Sequence, residues 1–200
     1  MDSITNSADD LKTIRKIMEE SSRFLSLSGL SGIFAGSYAI AGALVAWLFI
    51  LPDHPAMDNS VLRFQLIIVA LSVLILSIAT SLYLSGRKAK KAGKSIWSPV
   101  SRRLLLNLMI PLVSGGCFTI ILLFRNDIQL IVPGLLIFYG LALVNAGKFT
   151  YGEVFYLGIL EILTGLFAAL FSDQGIWFWV FGFGILHIVY GFIVYRKYES

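Results

Sequence analysis

The chain has 200 residues, 57% of them hydrophobic and 14% charged, with a formal net charge of +4 and a mean hydropathy of +0.81. Soluble domains carry about 25% charged residues, so an ordinary water-soluble domain is excluded. One cysteine, Cys117, leaves no internal disulfide and no thiolate metal cluster.

Residues 1–24 are charged and amphipathic. Leu11, Ile14, Met18 and Leu25 recur at helical spacing, with Lys12, Arg15, Lys16 and Glu19 on the other faces. That pattern predicts an interfacial helix on the cytoplasmic leaflet, apolar face down. It lacks a short apolar core with a small-residue cleavage site, so no cleavable signal peptide is expected.

Six apolar runs follow, at about 25–51, 62–85, 104–124, 129–147, 154–172 and 176–195. Roughly 20 apolar residues cross about 30 Å of hydrocarbon. The runs are continuous rather than alternating, which excludes a strand barrel, and backbone groups in lipid must bond within their own segment. The expected fold is all-α. It is a polytopic integral membrane protein with six transmembrane helices in a compact bundle, arranged as sequential hairpins in one domain over 25–195, with a tail at 196–200.

Individual runs carry further signals. The first is rich in small residues: Gly32 and Gly36 form one small-xxx-small pair, and Ala35, Ala39 and Ala43 form a second ridge. Such ridges let helix backbones approach closely in lipid. Between the second and third runs, Arg87, Lys88, Lys90, Lys91 and Lys94 cluster ahead of Trp97. Cations so placed bind anionic lipid headgroups at roughly 1 kcal/mol each. Pro111 and Pro133 lie in the third and fourth runs and are expected to bend them. At the opposite ends of the runs, Trp47, Trp177 and Trp179 fit an aromatic belt.

Charge sets the expected orientation. Fourteen of the sixteen Lys and Arg residues fall in 1–24, 86–103, 146–153 and 196–200, and only Arg63 and Arg125 fall on the other side. The positive-inside rule then places both termini and the basic loop in the cytoplasm of a cell with an inner membrane. The net positive charge reflects orientation, and no nucleic-acid partner is expected.

The last two runs repeat a pattern. Gly158-Ile159-Leu160-Glu161-Ile162-Leu163-Thr164-Gly165 is answered by Gly184-Ile185-Leu186-His187-Ile188-Val189-Tyr190-Gly191. Residues i, i+3 and i+7 share a helix face. Gly158, Glu161 and Gly165 therefore form one stripe, and Gly184, His187 and Gly191 another. Thr164 and Tyr190 lie beside Glu161 and His187. Glu161 is eight residues from Glu153 and His187 eight from Tyr195, which puts both about 12 Å inside the same membrane face. Ionisable groups at that depth are costly and usually functional. An antiparallel pair there offers shared-proton or ion-pair states. Asn107 and Asn145 fall in the same half of the membrane and Tyr139 near mid-depth, and they complete the expected ligand- or proton-binding set.

Two family resemblances arise. Gly29-Leu30-Ser31-Gly32 is similar to the Gly-x-Ser-Gly of rhomboid intramembrane proteases, but the serine lies near the start of the first run and the second-run His/Asn signature is absent. The size, the topology and the Ala35–Ala39–Ala43 ridge resemble substrate-binding subunits of energy-coupling-factor vitamin transporters, whose long first outer loop is short here. That resemblance implies a coupling subunit docked on the ridge. No His-Glu-x-x-His site, phosphate-cradling loop or potassium-filter sequence appears. No catalytic residue, metal or cofactor is expected.

The function expected is therefore a small-solute or proton-coupled transporter, or a membrane-embedded binding subunit, centred on Glu161 and His187. The rival expectation is a non-catalytic scaffold or sensor that engages lipid or a partner protein. Expected partners are the bilayer with its anionic headgroups, a small-molecule or lipid ligand, and a second copy or partner membrane subunit.

Overall fold

The computed structural model describes residues 24–51, 59–93, 95 and 97–200. The interfacial helix expected before Phe24, the headgroup cation Lys94 and the acidic residues Asp53 and Asp58 lie outside the described residues. Among the described residues all regular structure is helical, and six helices are long and apolar enough to cross a membrane.

In chain order these are α1 (Gly29–Val45), prolonged by π-helical Ala46–Ile50; α2 (Asn59–Lys91); α3 (Pro99–Arg125); α4 (Ile131–Gly147), entered through a 3-10 turn at Ile128–Leu130; and α5 (Gly152–Leu170). The last rod joins α6 (Gly175–Trp179), a π-helical stretch Val180–Leu186 and α7 (His187–Tyr198).

Several boundaries differ from the hydropathy reading, each for a physical reason. The first helix starts at Gly29 rather than 25, because residues 24–28 are held extended by hydrogen bonds. Phe24 N donates to Phe149 O at 2.7 Å, Thr150 Oγ1 to Phe24 O at 2.8 Å, and the Tyr151 hydroxyl to Leu25 O. The second helix runs on to Lys91, so Arg87, Lys88, Lys90 and Lys91 sit on its last turns and not in a loop. Cations are favoured at a helix C-terminus, and their long stems carry the charge away from hydrocarbon. The turn that follows uses Gly93 at φ +66°. The third helix begins at Pro99, where Ser98 and Ser101 form a reciprocal cap. Pro111 is interior to α3, but Pro133 is the third residue of α4, where a missing N–H breaks no intrahelical bond. Pro133 therefore gives no reason for a mid-helix bend.

The helices pack in the spatial order α2, α1, last rod, α5, α4, α3. Two crossings are closest, α4 with α5 and α1 with the last rod, and both are made by glycine. A Cβ on Gly158 would stand 2.7 Å from Gly140 O and Val144 N, and one on Gly140 would stand 2.6 Å from Gly158 O. A Cβ on Gly191 would stand 2.5 Å from Ile33 N, and one on Gly36 would stand 2.4 Å from Gly184 O. The repeated glycine pattern thus serves two different partners: Gly158 and Gly165 face α4, while Gly184 and Gly191 face α1 through Gly29, Gly32 and Gly36. The outermost helices α2 and α3 each pack chiefly on one neighbour and meet each other where Arg63 donates to Asn126. Their apolar faces, including Phe64, Ile75, Leu82, Ile110 and Phe124, stay exposed. That surface suits hydrocarbon.

A core of Leu143, Tyr151, Val154, Leu157 and Val194 fills one end of the molecule, with Leu25, Leu27, Tyr139 and Tyr190 against it. Ala46, Ile50 and Leu62 form a second core at the other end. The candidate site lies between α4, α5 and the last rod.

Candidate functional site

Glu161, on α5, is completely buried at 0% exposure, and His187, at the start of α7, is 6% exposed. The His187 Nδ1 lies 3.3 Å from Glu161 Oε1. The same nitrogen lies 3.1 Å from Gly182 O, a carbonyl five residues earlier in the π-helical stretch. One Nδ1 hydrogen thus faces two acceptors, and alignment favours the carbonyl. Neither Glu161 oxygen has a hydrogen-bond partner among the described residues. The contact is therefore electrostatic proximity rather than a formed hydrogen bond.

On its other side the imidazole is well held. Tyr139 on α4 places its hydroxyl 2.8 Å from His187 Nε2 and stacks on the ring, with centroids 5.4 Å apart. Phe183 packs on Tyr139 at 5.5 Å, and Trp179 on Phe183 at 4.7 Å. Three helical elements thus converge on one row, Tyr139–His187–Glu161. Two arrangements satisfy it. In one, the Tyr139 O–H donates to a neutral imidazole and Glu161 carries a proton. In the other, an imidazolium donates from Nε2 to Tyr139 and faces a Glu161 carboxylate. They differ by one proton moved over a few ångströms.

Glycine makes room for the carboxylate. A Cβ on Gly182 would meet Glu161 Oε2 at 2.7 Å and the fully buried Leu136 at 2.5 Å. Gly182 was not among the residues singled out in the sequence, because only the fold brings it onto Glu161.

The remaining expected site residues are dispersed. Thr164 is buried one turn from Glu161, but its hydroxyl donates to Leu160 O of its own helix at 2.7 Å. Tyr190 is half-buried one turn beyond His187, against the core that also packs Tyr139. Asn145 is half-buried on α4 and is not hydrogen-bonded to the pair. Asn107 lies on α3, away from the pair, and donates to Arg103 O of its own helix at 2.8 Å. Trp179 is not a simple belt residue: its indole turns inward and donates to Ala39 O on α1 at 3.2 Å. Trp47 and Trp177 are exposed.

A second polar centre joins the start of α1, the end of α2 and the segment after α7. Lys88, grouped above with the headgroup cations, donates to Leu27 O at 2.8 Å, Tyr151 Oη at 3.1 Å and Glu199 Oε1 at 2.9 Å. Its ammonium is thereby occupied inside the protein, whereas Arg87, Lys90 and Lys91 remain exposed. Glu199 also accepts from Gly29 N at 2.6 Å and from Ser28 Oγ at 3.2 Å, so it caps the N-terminus of α1. Burial raises the Tyr151 phenol above its ordinary range, against the pull of Lys88. Sequence reading missed this knot, since one lysine of five and a carboxylate in a short tail carry no local signal.

Among the described residues no group of three or more His, Cys, Asp and Glu side chains could hold a metal ion. Comparison with family models, curated proteins and solved structures finds no match to this chain.

Proposed function

We propose that this is a proton-coupled membrane transporter of a small solute, or the membrane-embedded binding subunit of one, with the Glu161–His187 pair at its working centre. One observation carries the reading: a fully buried carboxyl whose two oxygens are unbonded, set beside an imidazole. A pair kept only for helix packing gains most from a formed hydrogen bond, because an unsatisfied buried group is costly. Here that bond is not made, and the carboxyl is left able to change its proton or its partner. The charge split supports an orientation with the Lys88 end in the cytoplasm of an inner membrane. Exposed Arg87, Lys90 and Lys91 would then meet anionic headgroups.

Thermal-shift screening of the purified protein against small cytoplasmic solutes, over a range of pH, tests this reading. Stabilisation by at least one solute is expected, and Glu161→Gln should fold normally while losing that shift or its pH dependence. A Glu161→Gln protein that keeps both would remove the carboxyl from function.

A further inference from the structure

The spans fall into two sets of three. Helix α1 packs extensively on α2 and on the last rod, and α4 packs extensively on α3 and α5. Contacts between the sets are sparser and run mainly along one seam, between α5 and the rod. Glycine marks the same division. Gly36 and Gly191 in one set, and Gly140 and Gly158 in the other, bring together backbones of their own set. Across the seam Gly182 meets side chains instead, those of Glu161 and Leu136. Outward from the seam the order is rod, α1, α2 on one side and α5, α4, α3 on the other. The repeated Gly-Ile-Leu-x-Ile-x-x-Gly therefore falls once on each side, and its two ionisable positions meet across the seam at 3.3 Å. The two ends of the seam differ. At one, α5 passes into the rod through residues 171–174, and Arg63 on α2 bonds Asn126 after α3. At the other, polar bonds hold the sets together. Lys197 Nζ donates to Glu153 Oε1 at 2.7 Å, the Tyr198 hydroxyl to the same carboxylate at 3.3 Å, and Lys88 Nζ to Tyr151 Oη at 3.1 Å. Lys197 is exposed, and an exposed ion pair holds little against water.

We propose that the protein works as two bodies, rod–α1–α2 and α5–α4–α3, which part along the seam from the Lys197–Glu153 end, hinged at residues 171–174, and so uncover Glu161 and His187 to that side. The motion rests on the transport reading above for its purpose, and it gives that reading a way for solute and protons to reach a pair that the closed seam seals. It leaves the glycine crossings of each body intact, so no close backbone packing is broken. Its size follows from the length of α5. Glu161 lies about 14 Å, and Glu153 about 25 Å, along the helix from Leu170. Admitting one water beside Glu161 needs the seam to widen there by about 3 Å. A hinge at residues 171–174 then parts the Lys197 end by about 5 Å.

The test uses the full chain in lipid nanodiscs, with the exposed Cys117 changed by Cys117→Ser so that spin labels attach only where they are placed. The labels occupy exposed positions at the Lys197 end. Lys148→Cys with Arg196→Cys reports across the seam. Lys90→Cys with Arg196→Cys reports inside one body, and Arg103→Cys with Lys148→Cys inside the other. Distances from double electron–electron resonance should show two populations for the cross-seam pair, the longer displaced by about 5 Å, and one for each within-body pair. Glu153→Gln and Lys197→Gln, made separately, should each raise the longer population by up to about fivefold, the reach of an exposed ion pair. A single cross-seam distance that neither variant alters would overturn the motion. A second distance that appears equally in the within-body pairs would overturn the division into two bodies. The measurement contains no solute, so a null result here falls on the motion alone, whereas a Glu161→Gln protein that keeps its solute-induced thermal shift and its pH dependence falls on the transport reading alone.

Discussion

Alanine placed at two glycines of this chain should have effects of opposite sign, and the space around each decides which. At Gly191, an added Cβ would stand 2.5 Å from Ile33 N, 2.6 Å from Gly29 O and 2.9 Å from Ile33 Cγ1. Two of these are backbone atoms of α1 and cannot rotate aside. Restoring ordinary contact, about 3.5 Å, requires the two backbones to part by roughly 1 Å. Overpacking of this kind costs about 1–3 kcal/mol. Alanine gains about 1 kcal/mol over glycine in helix propensity, too little to reverse the sign. At Gly116 on α3, a Cβ meets nothing within 4 Å. There only the propensity gain remains, so Gly116→Ala should be neutral or stabilising by up to about 1 kcal/mol. Equilibrium unfolding in mixed micelles, read by circular dichroism, compares the two directly. If Gly191→Ala is as stable as Gly116→Ala, α1 and the last rod do not cross as closely as the glycine geometry demands, and the packing argument fails.

Two other substitutions probe the polar centres. His187→Leu should cost up to about 3–5 kcal/mol, because it breaks the bonds to the Tyr139 hydroxyl and Gly182 O and removes the imidazole beside the buried Glu161 carboxyl. Glu161→Met with His187→Leu together should cost less than the sum of the single changes, and strict additivity within about 0.5 kcal/mol in a double-mutant unfolding cycle would show the two side chains to be uncoupled. Glu199→Gln keeps the shape of the knot but removes the charge facing Lys88, and should cost about 2 kcal/mol, the scale of hydrogen bonds to charged groups. A loss below about 0.5 kcal/mol, that of an ordinary surface change, would mean the knot does not hold Glu199 to the start of α1.

The six membrane-length helices were legible because hydropathy is a local property. Their ends were less so. The start of α1 moved to Gly29 because Phe24 and Leu25 find hydrogen-bond partners in residues 149–151, more than a hundred positions away. Helix α2 continues through Arg87–Lys91 because lysine and arginine stems tolerate the membrane edge, so charge marks the edge of hydrocarbon and not the end of the helix. Within the site, Glu161 and His187 stood out in the sequence by their rarity inside apolar runs. Tyr139 could be listed only by depth. Its bond to His187 depends on how α4 and the last rod cross. Gly182 and the Glu199 cap had no sequence signal at all, because their partners come from distant elements. Asn107 shows the converse limit: depth suggested it, but α3 packs on α4 rather than on α5 or the last rod, and the amide bonds Arg103 O of its own helix.

The position of the last rod has a consequence for how the protein is made. Chains emerge from the ribosome N-terminus first, and earlier segments begin to fold before later ones exist. Helices α1 and α2 can pair early, as can α3, α4 and α5. The rod Ser172–Tyr198 seats between α1 and α5, two elements separated by about half of the chain. Until the rod is in place, the glycine face of α1 lacks its partner and Glu161 has no imidazole beside it. Seating the rod is therefore the step that closes the α1 crossing, brings His187 to the carboxyl and sets Glu199 on the start of α1.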